Sequence, residues 1–327
     1  MKRRDFIGVL GLVLAAPRTA GAQPARKIPR VGVLWHAANA AEEGPYFTAV
    51  QQGFKDLGYI EGRTINLEHR FPNEEPSKFI SMAAELASLK PDVLLAAGGS
   101  ASIAAKNATT TIPVVFIVVP DPIASKLVDN LARPKGNVTG LSNFAVGVTA
   151  KRLEFLKEAI PSLSRVALLV NPNVPITRRY IEESEAAAAQ LRIAIQPFEA
   201  RSLDEIERAF DAMVKGRMQA VSINAEGLFF QHRNMVGKFA IERRLPTCAY
   251  SRETLEAGAL MSYGPDQRGL FRRSATFADK LLKGAKPSDL PVELPSRIEF
   301  LINGKTAKAL AFEAPKLLLL RADEVLS

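Results

Sequence analysis

Residues 92–102 read Asp-Val-Leu-Leu-Ala-Ala-Gly-Gly-Ser-Ala-Ser, an apolar run of strand length that breaks at two glycines and passes into a short helical segment, 102–108. An apolar strand without polar alternation belongs in a parallel sheet covered on both faces. Glycines at its end turn the chain sharply and let the backbone approach a ligand. Working outward, residues 31–35 form a similar short strand. Tyr46, Phe47, Val50, Phe54 and Leu57 then recur at helical spacing, and Gly58 stops that helix. Residues 64–70 alternate apolar and polar as an edge strand does. Phe79, Met82, Ala83, Leu86 and Leu89 mark another helix, and 113–119 is a buried strand closed by Pro120, Asp121 and Pro122.

The pattern restarts about 130 residues later. A helix over 151–160 leads to strand 165–170, an Ala-rich helix over 177–191 and strand 193–198. A helical face follows at Leu203, Ile206, Phe210 and Met213, then strand 219–224, a single helix from about 228 to 243, and strand 247–250. One α/β unit duplicated is the simplest account: two Rossmann-like parallel-sheet lobes joined by a hinge. Segments 138–149, 258–265 and 292–302 are expected to cross between lobes. That assigns 29–144 plus about 265–291 to an N-terminal lobe and 145–264 plus about 292–327 to a C-terminal lobe.

The chain has 327 residues, 47% of them hydrophobic, enough for two buried cores. Residues 1–22 carry Lys2, Arg3 and Arg4, an apolar run of about 11 residues, and Ala20-Gly21-Ala22, the layout of a signal peptide cleaved before Gln23. Arg3-Arg4 before Asp5-Phe6-Ile7 resembles a twin-arginine signal; a general secretory signal is the alternative. A periplasmic protein is therefore expected. The formal charge is +9, and without residues 1–22 about +6, scattered rather than clustered, so no nucleic-acid surface is read. Cys248 is the one cysteine, so no internal disulfide is available, and its apolar surroundings suggest a buried structural thiol rather than a nucleophile.

In open parallel sheets, ligands bind beyond the carboxyl ends of the strands. Those ends place Trp35 and His36, then Gly99, Ser100, Ala101 and Ser102, then Asp121, on the first lobe. They place Asn171, Asn224, Glu226, Tyr250 and Ser251 on the second, with Asn143 in the first crossing. Ser100 or Ser102 could cap the helix after Gly99, leaving its first amides for a carboxylate. Trp35 could stack on an apolar ligand or belong to the core at the sheet rim. Enzyme signatures fail. His36, His69 and His232 lack metal-ligand spacing, no G-x-S-x-G elbow occurs, and the first strand is not followed by G-x-G-x-x-G. No catalysis, cofactor or metal is expected.

Several segments resemble one family across nearly the whole chain: Gly53-Phe-Lys-Asp-Leu-Gly-Tyr-Ile-Glu-Gly-Arg63, Leu131-Ala-Arg-Pro-Lys-Gly-Asn-Val-Thr-Gly-Leu-Ser142, Lys151-Arg-Leu-Glu154, and Glu256-Ala-Gly-Ala-Leu-Met-Ser-Tyr-Gly264. They resemble ABC transporter substrate-binding proteins of the tryptophan/tyrosine-binding type, with a type I periplasmic-binding fold. The resemblance implies a monomer that binds an aromatic amino acid or related carboxylate between its lobes and delivers it to the permease and ATPase subunits of an importer. A periplasmic sensor partnering a receptor is the competing reading.

Overall fold

The structure, a computed structural model, describes residues 28–327. The expected signal segment, 1–22, lies outside the described residues.

The first sheet is built by β1 (Arg30–Leu34), α1 (Ala40–Glu43), α2 (Pro45–Asp56), β2 (Asn66–Arg70), α3 (Pro76–Ser88), β3 (Val93–Ala97), α4 (Gly98–Ala108), β4 (Val114–Val119) and β5 (Val138–Ser142). Its five strands run parallel in the order β2-β1-β3-β4-β5. The chain then crosses to the second unit. There it forms α5 (Thr149–Ala159), β6 (Arg165–Val170), α6 (Thr177–Leu191), β7 (Ala194–Glu199), α7 (Leu203–Lys215), β8 (Ala220–Ile223), α8 (Gly227–Gln231), α9 (Arg233–Glu242), β9 (Thr247–Ala249), α10 (Arg252–Glu256) and β10 (Met261–Pro265). The order β7-β6-β8-β9-β10 repeats that of the first sheet.

Helix α11 (Gln267–Leu282) returns to the first unit and packs on α2, β3, β4 and β5. Its buried stripe of Leu270, Phe271, Ala275, Phe277, Ala278 and Leu281 follows helical periodicity. Asp266 caps it, accepting from the Gly269 amide at 3.0 Å. The last passage adds β11 (Ile298–Asn303), α12 (Gly304–Ala309), α13 (Lys316–Arg321) and β12 (Glu324–Leu326) to the second sheet, β11 antiparallel to β10. The result is a two-lobe type I periplasmic-binding fold.

Three details differ from the sequence reading. Residues 138–142 and 261–265 are not linkers but the last parallel strands β5 and β10, and the chain crosses just beyond each. The single helix expected near 228–243 is two, α8 and α9, broken at His232. Within 292–302, Glu293 still bridges Leu141 of the first lobe, while β11 lies in the second, so the crossing itself is 294–297. Among the described residues no helix is long and apolar enough to cross a membrane.

Cys248 is fully buried, and burial pushes its thiol up to about 12. Thiolate is the reactive form. Iodoacetamide at neutral pH is therefore expected to leave the native protein unlabelled and to modify it only after unfolding, as read by intact mass. Rapid labelling of the folded chain would contradict this.

Candidate functional site

The two sheets turn their strand ends toward one cavity. From the first lobe it is lined by His36, Tyr46, Glu74, Gly98, Gly99, Ser100 and Val118. From the second come Val174, Ala225, Glu226, Gly227, Phe230 and Tyr250, and from the crossings Asn143 and Gln267. It encloses about 70 Å³, several times what one water needs.

Of the thirteen residues expected at the site, His36, Gly99, Ser100, Asn143, Glu226 and Tyr250 line this cavity. The others do not. Trp35 is fully buried beneath it among Phe47, Phe71 and Phe271, and its Nε1 donates to His69 Nδ1 at 3.0 Å. It is a core residue, because its side chain points under α2 and α11. Ala101 and Ser102 face the lobe interior, and the Ser102 hydroxyl donates to the Ala96 carbonyl at 3.2 Å. Neither serine caps α4. That helix begins at Gly98, and Ala97 precedes it without a side-chain cap. Asp121 accepts from the Ile123 and Ala124 amides and holds its own turn. Ser251 caps α10, and Asn224 is buried behind the lining. Asn171 sits one layer back and donates to Glu226 Oε1 at 3.1 Å.

The turn into α4 explains why glycine stands there. Gly98 has φ +81°, a conformation that side chains resist. With no capping side chain, the first amides of α4 are presented beside the cavity through Gly98, Gly99 and Ser100. Val118 bears more strain. It is β-branched yet has φ +54°, at a register shift in β4 that turns it into the cavity. Such residues cost about 1–3 kcal/mol and persist only where packing over-determines them.

The lobes touch around the cavity. Tyr46 of α2 donates to Glu253 of α10 at 2.8 Å and stacks on Phe230 of α8 at 4.6 Å. Its other face meets Phe271 at 4.4 Å, and the guanidinium of Arg233 lies 4.3 Å from the Phe230 ring. At the lip, Gln231 Nε2 donates to Asn73 Oδ1 at 2.7 Å and to Glu42 Oε2 at 3.2 Å. These contacts define a closed cleft.

The charged groups inside are mostly acidic. Glu74 of the first lobe faces Gly227 of the second so closely that a Cβ on Gly227 would come within 1.8 Å of Glu74 Oε1. His36 lies between Glu43 and Glu74, with nitrogen–oxygen distances of 3.2 and 3.4 Å. Burial first, then the charge of Glu226, raises the Glu74 carboxyl well above its usual range. Burial likewise lifts Glu226 to about 7, against the opposing hydrogen bond from Asn171 and the amides of Phe229 and Leu228. Among the described residues no lysine or arginine lines the cavity, and no group of three or more His, Cys, Asp or Glu is placed to hold a metal ion.

Family comparison agrees with this geometry. Residues 43–326 match the model of the family described as ABC transporter substrate binding protein. The chain belongs to that family. A curated relative, the tyrosine-binding protein of Clostridioides difficile strain R20291, is 26% identical over 289 residues, 86% of this chain and 83% of the relative. Among solved structures, a conserved domain protein from Vibrio cholerae superposes with a TM-score of 0.85 at 24% identity, covering 91% of this chain and all of the other. An ABC domain from Streptococcus pneumonia, in complex with L-Trp, gives 0.83 at 24% identity over 91% and 99%. A substrate-binding protein of this family binds a small ligand and meets an ABC transporter permease outside the cytoplasm; it is not an enzyme.

The raised carboxylates set a pH dependence for this substrate-binding protein. The folded state holds protons on Glu74 and Glu226 that the unfolded chain has lost, so stability falls as pH rises through about 7. Below about 6.5 the effect is opposed. His69, lowered by burial to about 4, must lose a proton on folding there. The melting temperature of the ligand-free protein is therefore expected to drop by a few degrees between about pH 6.5 and 8, and less so in Glu226→Gln. A rise over that window, followed by calorimetry, would contradict it.

Proposed function

We propose that this protein is the periplasmic solute-binding component of an ABC importer and that it captures an aromatic amino acid or related carboxylate between its lobes. The observation that carries this reading is the closed cavity lined from both lobes, with His36, Gly99, Ser100 and Glu74 on one wall and Glu226, Tyr250 and Phe230 on the other. The moving bodies are 29–144 with about 265–293, and 145–264 with about 298–327. A ligand touching both walls favours the closed form by its differential affinity, which the permease then reads. One relative is a tyrosine-binding protein and another was solved in complex with L-Trp, which supports the aromatic class. A thermal-shift screen of aromatic and aliphatic amino acids and dicarboxylic acids tests it. A ligand at a hundredfold excess over its Kd should stabilise the fold by about 2.7 kcal/mol and compact the protein in small-angle scattering. No stabilisation by any of these compounds would overturn the proposal.

A further inference from the structure

We infer that the closing cleft takes up a proton from solvent on two facing carboxylates, Glu74 of the first lobe and Glu226 of the second, so that acid shuts the ligand-free protein and base releases it. This rests on the hinged closure of the proposed function and adds a regulator to it, solvent pH, that acts without any ligand.

The contact between the lobes is a fitted one. Gly227 opens α8 of the second lobe, and Glu74 Oε1 lies 1.8 Å from where a Cβ on Gly227 would stand. Glu74 is held on its own lobe. The Asn73 and Glu74 amides donate to the Ala37 and His36 carbonyls at 3.1 and 2.8 Å, and both residues keep positive φ. Glu226, beside the notch, is held as well: it accepts from the Phe229 amide at 3.3 Å and from Asn171 at 3.1 Å. A carboxylate fixed on one lobe therefore enters the gap next to a carboxylate fixed on the other only as the lobes meet.

The charge assembled there is unbalanced. Glu74 faces His36 at 3.4 Å and Glu43 on its own lobe, and Glu226 across the cleft. The His36 imidazole also meets Glu43, at 3.2 Å, and one imidazole cannot neutralise three carboxylates. Glu226 faces Tyr180 and Tyr250, on which Asp121 and Glu253 add further negative charge. The nearest guanidinium groups do not reach the pair: Arg152 addresses Tyr180, Cys248 and Tyr250 from behind the wall, and Arg233 lies over Phe230 at the lip. Parted lobes leave both carboxylates to water. Meeting lobes dehydrate them beside each other, and both effects favour the protonated form. Burial accordingly raises both, Glu226 to about 7. The closed form then keeps a proton that the open form has lost. Its advantage is complete below the ordinary glutamate range, about 4.3, and is lost as pH rises through about 7.

Pulsed electron paramagnetic resonance on the whole protein tests this. Cys248 is buried, so Ser81→Cys on α3 and Lys238→Cys on α9, both exposed, carry the two spin labels on opposite lobes. L-tryptophan and L-tyrosine serve as probes that mark the closed distance. Without them, the ratio of closed to open distances should fall about tenfold or more from about pH 5.5 to about pH 8. The double variant E74Q/E226Q should hold that ratio constant within about threefold, since neither amide titrates. Either single variant should weaken the dependence and serves if the double one fails to fold. Gly227→Ala fills the notch and should reduce the closed population at the lower pH to its level at the higher one. A ratio that does not change with pH, or that changes equally in the double variant, overturns the inference; where a probe still shortens the distance, the proposed function stands. If neither acid nor probe shortens it, both fall.

Discussion

Trp35→Ala is expected to destabilise the protein by about 3–5 kcal/mol, lowering its melting temperature by roughly 10 °C. The ring is fully buried and is ringed by Phe47, Phe71 and Phe271 with centroids 5.5 to 6.2 Å away. Its removal opens a cavity where α2 and α11 meet the sheet. It also strands His69 Nδ1, which accepts the indole N–H at 3.0 Å because burial keeps that imidazole neutral, at about 4. Trp35→Phe should retain most of the packing and lose mainly the hydrogen bond. Thermal unfolding followed by circular dichroism measures both. A near-normal melting temperature with lost ligand affinity would make Trp35 a ligand residue instead of a core one.

The second large effect is expected at Phe230. Its ring stacks on Tyr46 of the opposite lobe, and the guanidinium of Arg233 lies over it. Parting the lobes exposes these rings, so their burial favours closure. Area burial and the stacking bonus together come to about 3 kcal/mol, and Phe230→Ala should weaken ligand capture about 100-fold. Gln231→Ala removes only the lip bonds to Asn73 and Glu42 and does not touch the cavity; its loss should be about fivefold. Calorimetry paired with small-angle scattering separates lost contacts from a more open average. Unchanged affinity in Phe230→Ala would refute the stack as a closing element.

The fold was largely legible in the chain because parallel, doubly covered strands are apolar throughout. Every residue of β3 and of β8 is buried, and both runs stand out from the helices around them. The doubled order of elements followed from the restart near residue 151. The site was legible only as loops. Six expected residues reach the cavity, because a strand end marks where the chain emerges but not where a side chain turns. Trp35 and Asp121 show this: one points inward and the other closes its own turn. Glu74 was missed since it belongs to no pattern. Asn73 and Glu74 both take positive φ, 58° and 53°, and that kink aims the carboxylate at the cleft. Asn73 before a proline-flanked helix was the one available hint. Tyr46 lay within an apolar helical stripe, where a cleft residue and a core residue read alike. Gln267 required knowing that α11 starts at a crossing, and Val118 that β4 bulges.

Helix α11 leaves the second sheet at Pro265, covers β3, β4 and β5 of the first, and hands the chain back through Glu293 to β11. Neither lobe is therefore one continuous piece of coding sequence. A fragment stopping at residue 144 would leave bare the apolar face that Phe271, Phe277 and Ala278 shield. Exchanging a lobe with a relative requires three splice points, at 143–148, about 266 and 294–297, so hybrids made with one junction should fail to fold.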